Sequence, residues 1–236
     1  MGMITVALWG LNTTATTRQG VDFTVSTYRI PLYLKVLSFF DRDAQYRVLA
    51  RNVTQGLTSE RVKILAIYDW TRAHIRPTPP DLPIVDDHPL HIIIRGYGEP
   101  DQMADVFTTL ATYAGIPAFA NAIMLREGNG TTGKIILSFA RIDDRWTVFD
   151  VARGLRFTDA NGQLIDAREL ALHPEFVAAV AGSAAPYGIP YAHYVDRLQP
   201  FRVPQFLRAQ KQMPLPRLVL ELKRFLHLEA EADTGA

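Results

Sequence analysis

Few side chains in this sequence have the makings of chemistry, and they are unevenly placed. Asp86, Asp87, His88 and His91 form the one cluster of metal-ligand types, and they sit in a proline-rich stretch. A zinc site needs converging ligands held by outer hydrogen bonds, which this spacing does not specify, so no metal and no other cofactor is expected. Asp101 opens a helical pattern, where a carboxylate can act as nucleophile or acid, or simply be stabilised by the helix dipole. Asp150 closes a strand pattern, a place for an orienting carboxylate or for a structural hydrogen-bond acceptor. His74, His173, His193 and His227 are scattered along the chain and read as surface or satisfied core residues. Cysteine is absent, which removes disulfides, thiolate metal sites and thiol nucleophiles together.

The elements that must position these groups belong to a chain of 236 residues with 48% apolar content, enough for a sizeable hydrophobic core. Twenty-five Lys plus Arg against 24 Asp plus Glu leave no broad field to attract nucleic acid or an anionic membrane. The apolar run Met3 to Leu11 is short and lacks a basic lead-in, and no stretch approaches the roughly 20 apolar residues of a membrane span. These features predict a soluble, cytoplasmic protein.

Residues 3 to 9 and 21 to 29 carry strand-forming residues around a Thr-rich stretch that reads as a loop. A short helix is expected from Asp43 to Val53, ending near Gly56, and a clearer one after Thr58 and Ser59 with Val62, Leu65, Ala66, Tyr68, Asp69, Trp70 and Ile75 on its apolar face. The five prolines between Pro77 and Pro89 predict an extended connection. Arg95 to Gln102 is a glycine-containing turn that opens a helix to Ala114, with Met103, Phe107, Leu110, Ala111 and Ala114 facing a core. Ala118 to Leu125, Lys134 to Ile142 and Arg145 to Val151 read as consecutive antiparallel strands, and Asn161-Gly162 signals a further hairpin. Short helices near 168 to 172 and 175 to 181 follow, then a Pro- and Tyr-rich region. A final helix from Arg217 to Glu229 carries Leu218, Leu222, Phe225 and Leu226.

The order of these elements, with Gly115-Ile116-Pro117-Ala118 ending the buried helix and Arg145-Trp146 leading four residues later to Asp150, resembles the bacterial transglutaminase-like domain of the papain-like superfamily. The resemblance covers roughly Asp43 to Phe157. It implies an α+β fold with a transglutaminase-like, papain-like core, in which N-terminal helices including a buried central helix pack on an antiparallel sheet. The domain reading is an N-terminal extension over 1–40, a core over 41–166 and a C-terminal helical extension over 167–236.

In that family a cysteine opens the buried helix, a histidine starts a strand and an aspartate closes the next. Counting back four positions from Ala104 puts Pro100 in the cysteine slot, and counting back fifteen from Asp150 puts Ile135 in the histidine slot. Lys134 and Ile136 offer no imidazole either, and Asp144 replaces the usual turn glycine. Only Asp150 of the triad survives. A thiol activated by a helix start and an imidazole works as a unit, so losing both partners predicts loss of acyl transfer.

The resulting expectation is a pseudoenzyme: an inactive transglutaminase-like domain that binds or scaffolds a peptide, protein or glycan, with Tyr97, Glu99, Asp101, Gln102 and Trp146 lining a residual groove. The alternative is a hydrolase or acyltransferase of the same superfamily using a non-cysteine mechanism through Asp101, Asp150 or the 86 to 91 cluster. Tyr187, Tyr191, Tyr194 and Phe201 suit either an aromatic groove or ordinary packing. The final helix suits either folding back on its own domain or pairing with another chain.

Overall fold

The computed structural model describes residues 12–21, 24–84, 88–126, 130–198, 201–205 and 207–225. The strand expected over 3 to 9, and residues 226 to 229 of the final helix, lie outside them. The Thr-rich stretch expected as a loop is instead strand β1 (Thr14–Val21), paired antiparallel with β2 (Thr24–Pro31). β-branched threonines suit a pleated ribbon whether or not they alternate with apolar residues, which is why polarity misled here. The hairpin runs directly into α1 (Leu32–Val53), 22 residues that begin well before Asp43.

Helix α2 (Glu60–His74) buries Ile64, Ile67, Tyr68 and Thr71, the i, i+3, i+4, i+7 stripe of an amphipathic helix. It ends in β3 (Arg76–Pro77), and a helix not anticipated from sequence, α3 (Pro89–Arg95), follows the proline stretch. Pro89 supplies the first-turn position that needs no amide hydrogen, and Gly96 at φ 76° closes the helix in the left-handed region. β4 (Tyr97–Gly98) pairs in parallel with β3, and α4 (Pro100–Tyr113) then runs through the centre of the molecule with ten of its fourteen residues buried.

The main sheet is antiparallel in the order β5 (Ala118–Arg126), β6 (Thr132–Ile142), β7 (Arg145–Asp150) and β8 (Leu155–Arg156). β6 and β7 are joined by Asp143 and Asp144, both with positive φ (47° and 62°) as a two-residue hairpin turn of this hand requires. Aspartate tolerates that region, and Asp144 is further held by Arg141 at 2.6 Å. The Asn161-Gly162 turn closes a single bridge between Thr158 and Leu164 rather than a longer hairpin; the Asp159 carboxylate accepts the amides of Asn161 and Gln163.

The sheet separates two cores. On one face Ala140, Ile142 and Phe149 meet Met103, Phe107 and Leu110 of α4 and Ile67 and Tyr68 of α2. On the other, Ile135, Leu137, Phe139 and Val148 are covered by the C-terminal segment, through α5 (Ala167–Leu172), α6 (Pro174–Ala181) and α7 (Tyr191–Val195). A last helix, α8 (Pro214–Phe225), follows the single-turn helix at 208–212. Of the apolar stripe expected on it, Leu218 and Leu222 are exposed, and Leu220, outside that stripe, is buried. Among the described residues no helix is long and apolar enough to cross a membrane.

Candidate functional site

The start of α4 is a compact polar knot. Gly98 leaves room for the Gln102 side chain, since a Cβ at Gly98 would lie 3.0 Å from Gln102 Oε1. That oxygen accepts the Glu99 amide at 3.0 Å and a guanidinium N–H of Arg95 at 2.9 Å. Arg95 also donates Nε–H to the Tyr97 carbonyl at 2.9 Å and stands 5.2 Å from the centre of the Tyr97 ring. Pro100 occupies the first helical turn, where its missing amide hydrogen costs nothing, and it is half-buried. Asp101 is exposed, and its carboxylate accepts the Gln102 amide at 2.9 Å. One turn on, Asp105 pairs with Arg208 at 2.9 Å, tying α4 to the C-terminal segment.

Asp150 has no exposed surface. One carboxylate oxygen accepts the Arg153 amide at 3.0 Å; the other accepts the Arg153 guanidinium at 3.1 Å and the Tyr191 hydroxyl at 2.8 Å. Its partners are therefore a guanidinium, an amide and a phenol, with no imidazole among them. Burial, and then the facing Asp150 carboxylate, push the Tyr191 phenol far above its ordinary pKa, so it stays a donor. Arg72 completes this end by donating to the carbonyls of Val151 and Ala152 and packing flat against Gly154. The sequence singles out neither Arg72 nor Arg153, and it offers Tyr191 only as a groove or packing residue, because nothing local marks the three as partners of a strand-end carboxylate.

Ile135 is fully buried opposite Ile123 on β5. The pleat points it, with Leu137 and Phe139, to the sheet face away from α4, into the core covered by the C-terminal segment, whereas Pro100 stands at the start of α4. The β6 residues on either side of Leu137, Ile136 and Ser138, alternate to the face shared with Ala140 and Ile142 and also lack an imidazole. Ser138 Oγ is buried without a hydrogen-bond partner. On this face the start of β6 is sealed: a Cβ on Gly133 would fall 1.9 Å from the Tyr194 hydroxyl, itself donated to the Pro186 carbonyl at 2.9 Å.

The structure thus gathers Tyr97, Glu99, Asp101 and Gln102 around one helix start, and sets Trp146 apart on the other face of the sheet. There its ring packs edge-on against Phe119 at 5.1 Å and its amide donates to Asp166. Tyr191 and Tyr194 are core residues and only Tyr187 is exposed, so these tyrosines form packing rather than a shared lining. An apolar cleft of about 290 Å³ does open nearby, between Val177, Ala178, Ala184, Pro190 and Tyr191. His88 precedes α3, and its ring lies 6.2 Å from that of His91, while Asp86 and Asp87 lie outside the described residues. No group of three or more His, Cys, Asp or Glu side chains among the described residues is arranged to hold a metal.

The profile of the transglutaminase-like superfamily core matches residues 47–151. Among solved structures, the chain is similar to a candidate cysteine protease from Cytophaga hutchinsonii, with 20% identity over 52% of this chain and 40% of that one and a TM-score of 0.41. It is also similar to a candidate protease from Parabacteroides distasonis, with 12% identity over 65% of this chain and 40% of that one and a TM-score of 0.36. A third is a TGase, with 14% identity over 63% of this chain and 46% of that one and a TM-score of 0.31. The chain spans less than half the length of each. No curated protein matches.

Proposed function

Because residues 47–151 form a domain of the transglutaminase-like superfamily, we propose that this one has given up acyl transfer and serves as a binding or scaffold module. The observation that carries the reading is the pair Pro100 and Ile135. The first offers no nucleophile at the helix start, and the second is an aliphatic side chain sealed in a core on the far side of the sheet. The chain has no cysteine to substitute for either. Removing two members of a unit that works together abolishes its chemistry rather than trimming it.

The retained carboxylate supports the same reading. Asp150 neutralises Arg153 and anchors Tyr191 with both oxygens engaged, which is the work of a structural acceptor. A two-carboxylate hydrolase would need Asp101 and Asp150 to converge on a substrate, whereas one is exposed and the other fully enclosed. Of peptide, protein and glycan, a protein partner is the class we favour, since the exposed large side chains of α1 and α8 are mostly aliphatic.

The test is an assay for amine incorporation into, and ammonia release from, glutamine-containing peptides. We expect no turnover above buffer for the native chain. Turnover that disappears in Asp101→Asn or Asp150→Asn would overturn the proposal.

A further inference from the structure

Two helices of this chain turn an apolar face to solvent, with the same spacing. On α1, residues 32 to 42 contribute nothing to either core, and Tyr33, Val36, Leu37 and Phe40 recur at i, i+3, i+4 and i+7. The polar side of the same segment is the one engaged with the chain itself: Lys35 donates to the Thr16 carbonyl of the β1–β2 hairpin, and Arg42 to Ser38. On α8, Leu215, Leu218, Val219 and Leu222 repeat the pattern, and Leu215 is 74% exposed. A globular helix ordinarily buries such a stripe, and here each is outward.

The stripes are anchored at one place. The Tyr113 hydroxyl is within hydrogen-bond distance of both Asp43 Oδ1, at 2.9 Å, and the Gln212 carbonyl, at 3.2 Å. Asp43 is where the buried half of α1 begins, and Gln212 is two residues before α8. Both helices also pack on the 208–212 turn. The exposed faces therefore leave a common point.

We propose that this surface is covered by a second copy of the chain. The eight stripe positions carry no charge, so the covering surface must be equally apolar, and the chain itself supplies two stripes of matched length and spacing. Eight large side chains, each about half exposed, present on the order of 700 Å² per copy, close to the roughly 800 Å² per partner of a stable interface. A two-fold arrangement lets α1 and α8 of each copy pack against those of the other, which closes the assembly. A two-stranded hairpin standing alone is marginal in water, and contact with the copy would also steady β1 and β2. This face is distinct from the start of α4, so the inference stands or falls independently of whether the domain turns over a substrate.

Light scattering on the full chain, over a concentration series, should give the mass of two chains. The double variant Leu37→Glu, Leu218→Glu should shift it to one chain while circular dichroism and the melting transition keep their native form. Because the chain has no cysteine, Leu37→Cys and Leu218→Cys introduced singly and oxidised, alone or mixed, give an independent readout: a disulfide-linked pair is expected. A one-chain mass at every concentration with no disulfide-linked pair overturns the proposal. So does a one-chain protein that floats with neutral phosphatidylcholine vesicles, which would assign the stripes to a lipid surface.

Discussion

At the start of α4 the side chains of Arg95 and Gln102 lock a turn whose outer residues, Glu99, Pro100 and Asp101, keep contact with solvent. At the start of β6 one face of the same domain does the opposite: Gly133 and Ile135 are buried with Tyr194 and Ile189 of the C-terminal segment, while Thr132 and Lys134 alternate to the exposed side. The first region is held by hydrogen bonds that also bond well to water, so each contributes little net. The second is held by burial and exact fit, where a single added methyl is felt. On that covered face a side chain at position 133 or 135 meets the C-terminal segment and not solvent. The helix start is rigid and still addressable.

The largest effect should come from the enclosed end. Asp150→Ala would strand the Arg153 guanidinium and the Tyr191 hydroxyl, and breaking a buried pair costs about 3 to 5 kcal/mol. The partial exposure of Arg153 brings the expectation to the lower end, about 3 kcal/mol, read as a lowered urea midpoint. A loss under about 1 kcal/mol would mean that Asp150 is less committed to the fold than its contacts imply. Gly133→Ala comes next. Tyr194 must move to admit the methyl, and overpacking of this kind costs about 1 to 3 kcal/mol. Gly133→Ala at no cost, checked by the same titration, would show that the cover over β6 yields.

The contrast was only partly visible in the sequence. Helix α4 was legible because its apolar spacing, Pro100 at the start and Gly115-Ile116-Pro117 at the end all agree. The sheet was legible for the same reason, with turn residues between apolar runs. The face of Ile135 was not: side chains alternate along a strand, so counting positions from Asp150 names a residue without saying which core it enters. Helix α3 was hidden by its seven-residue length and the prolines before it. The partners of Asp150 were hidden by distance along the chain, since Tyr191 lies 41 residues away. The outward stripe of α1 is hidden because the sequence pattern marks the helix from Asp43, where burial begins rather than where the helix does.

At the open end the effects should be smaller. Gln102→Ala removes the acceptor for the Glu99 amide and for Arg95, a loss of about 1 kcal/mol by analogy with other helix-start caps. Gln102→Glu keeps an acceptor beside Arg95 and should hold stability within about 0.5 kcal/mol of native. If Gln102→Ala proved as costly as Asp150→Ala, the two regions would not differ in the way their contacts suggest.

The smallest effect at neutral pH, and the most diagnostic at high pH, belongs to Tyr68. Its ring packs against Phe107 and Phe149, and its hydroxyl is buried without a hydrogen-bond partner. Tyr68→Phe removes an unsatisfied polar atom and keeps the ring, so stability near pH 7 should be unchanged or slightly raised. Burial pushes the phenol up to about 12 from an ordinary 10.0; nearby Asp150 and Asp69 add to the rise, and Arg72 and Arg156 oppose it. The unfolded chain therefore ionises this group first. Its contribution is fully present below pH 10 and is lost as pH climbs toward about 12, since the unfolded state alone releases the proton in that window. Thermal melts from pH 8 to 12 should show the native protein falling from about pH 10 onward, with Tyr68→Phe falling less steeply. Tyr191→Phe separates this from hydrogen bonding. It also removes a buried phenol, but it deprives Asp150 of a donor, so its melting temperature should already be lower at pH 7. Parallel alkaline curves for the native protein and Tyr68→Phe would show that water reaches this hydroxyl, and that the core between α2 and β7 is wetter than its packing indicates.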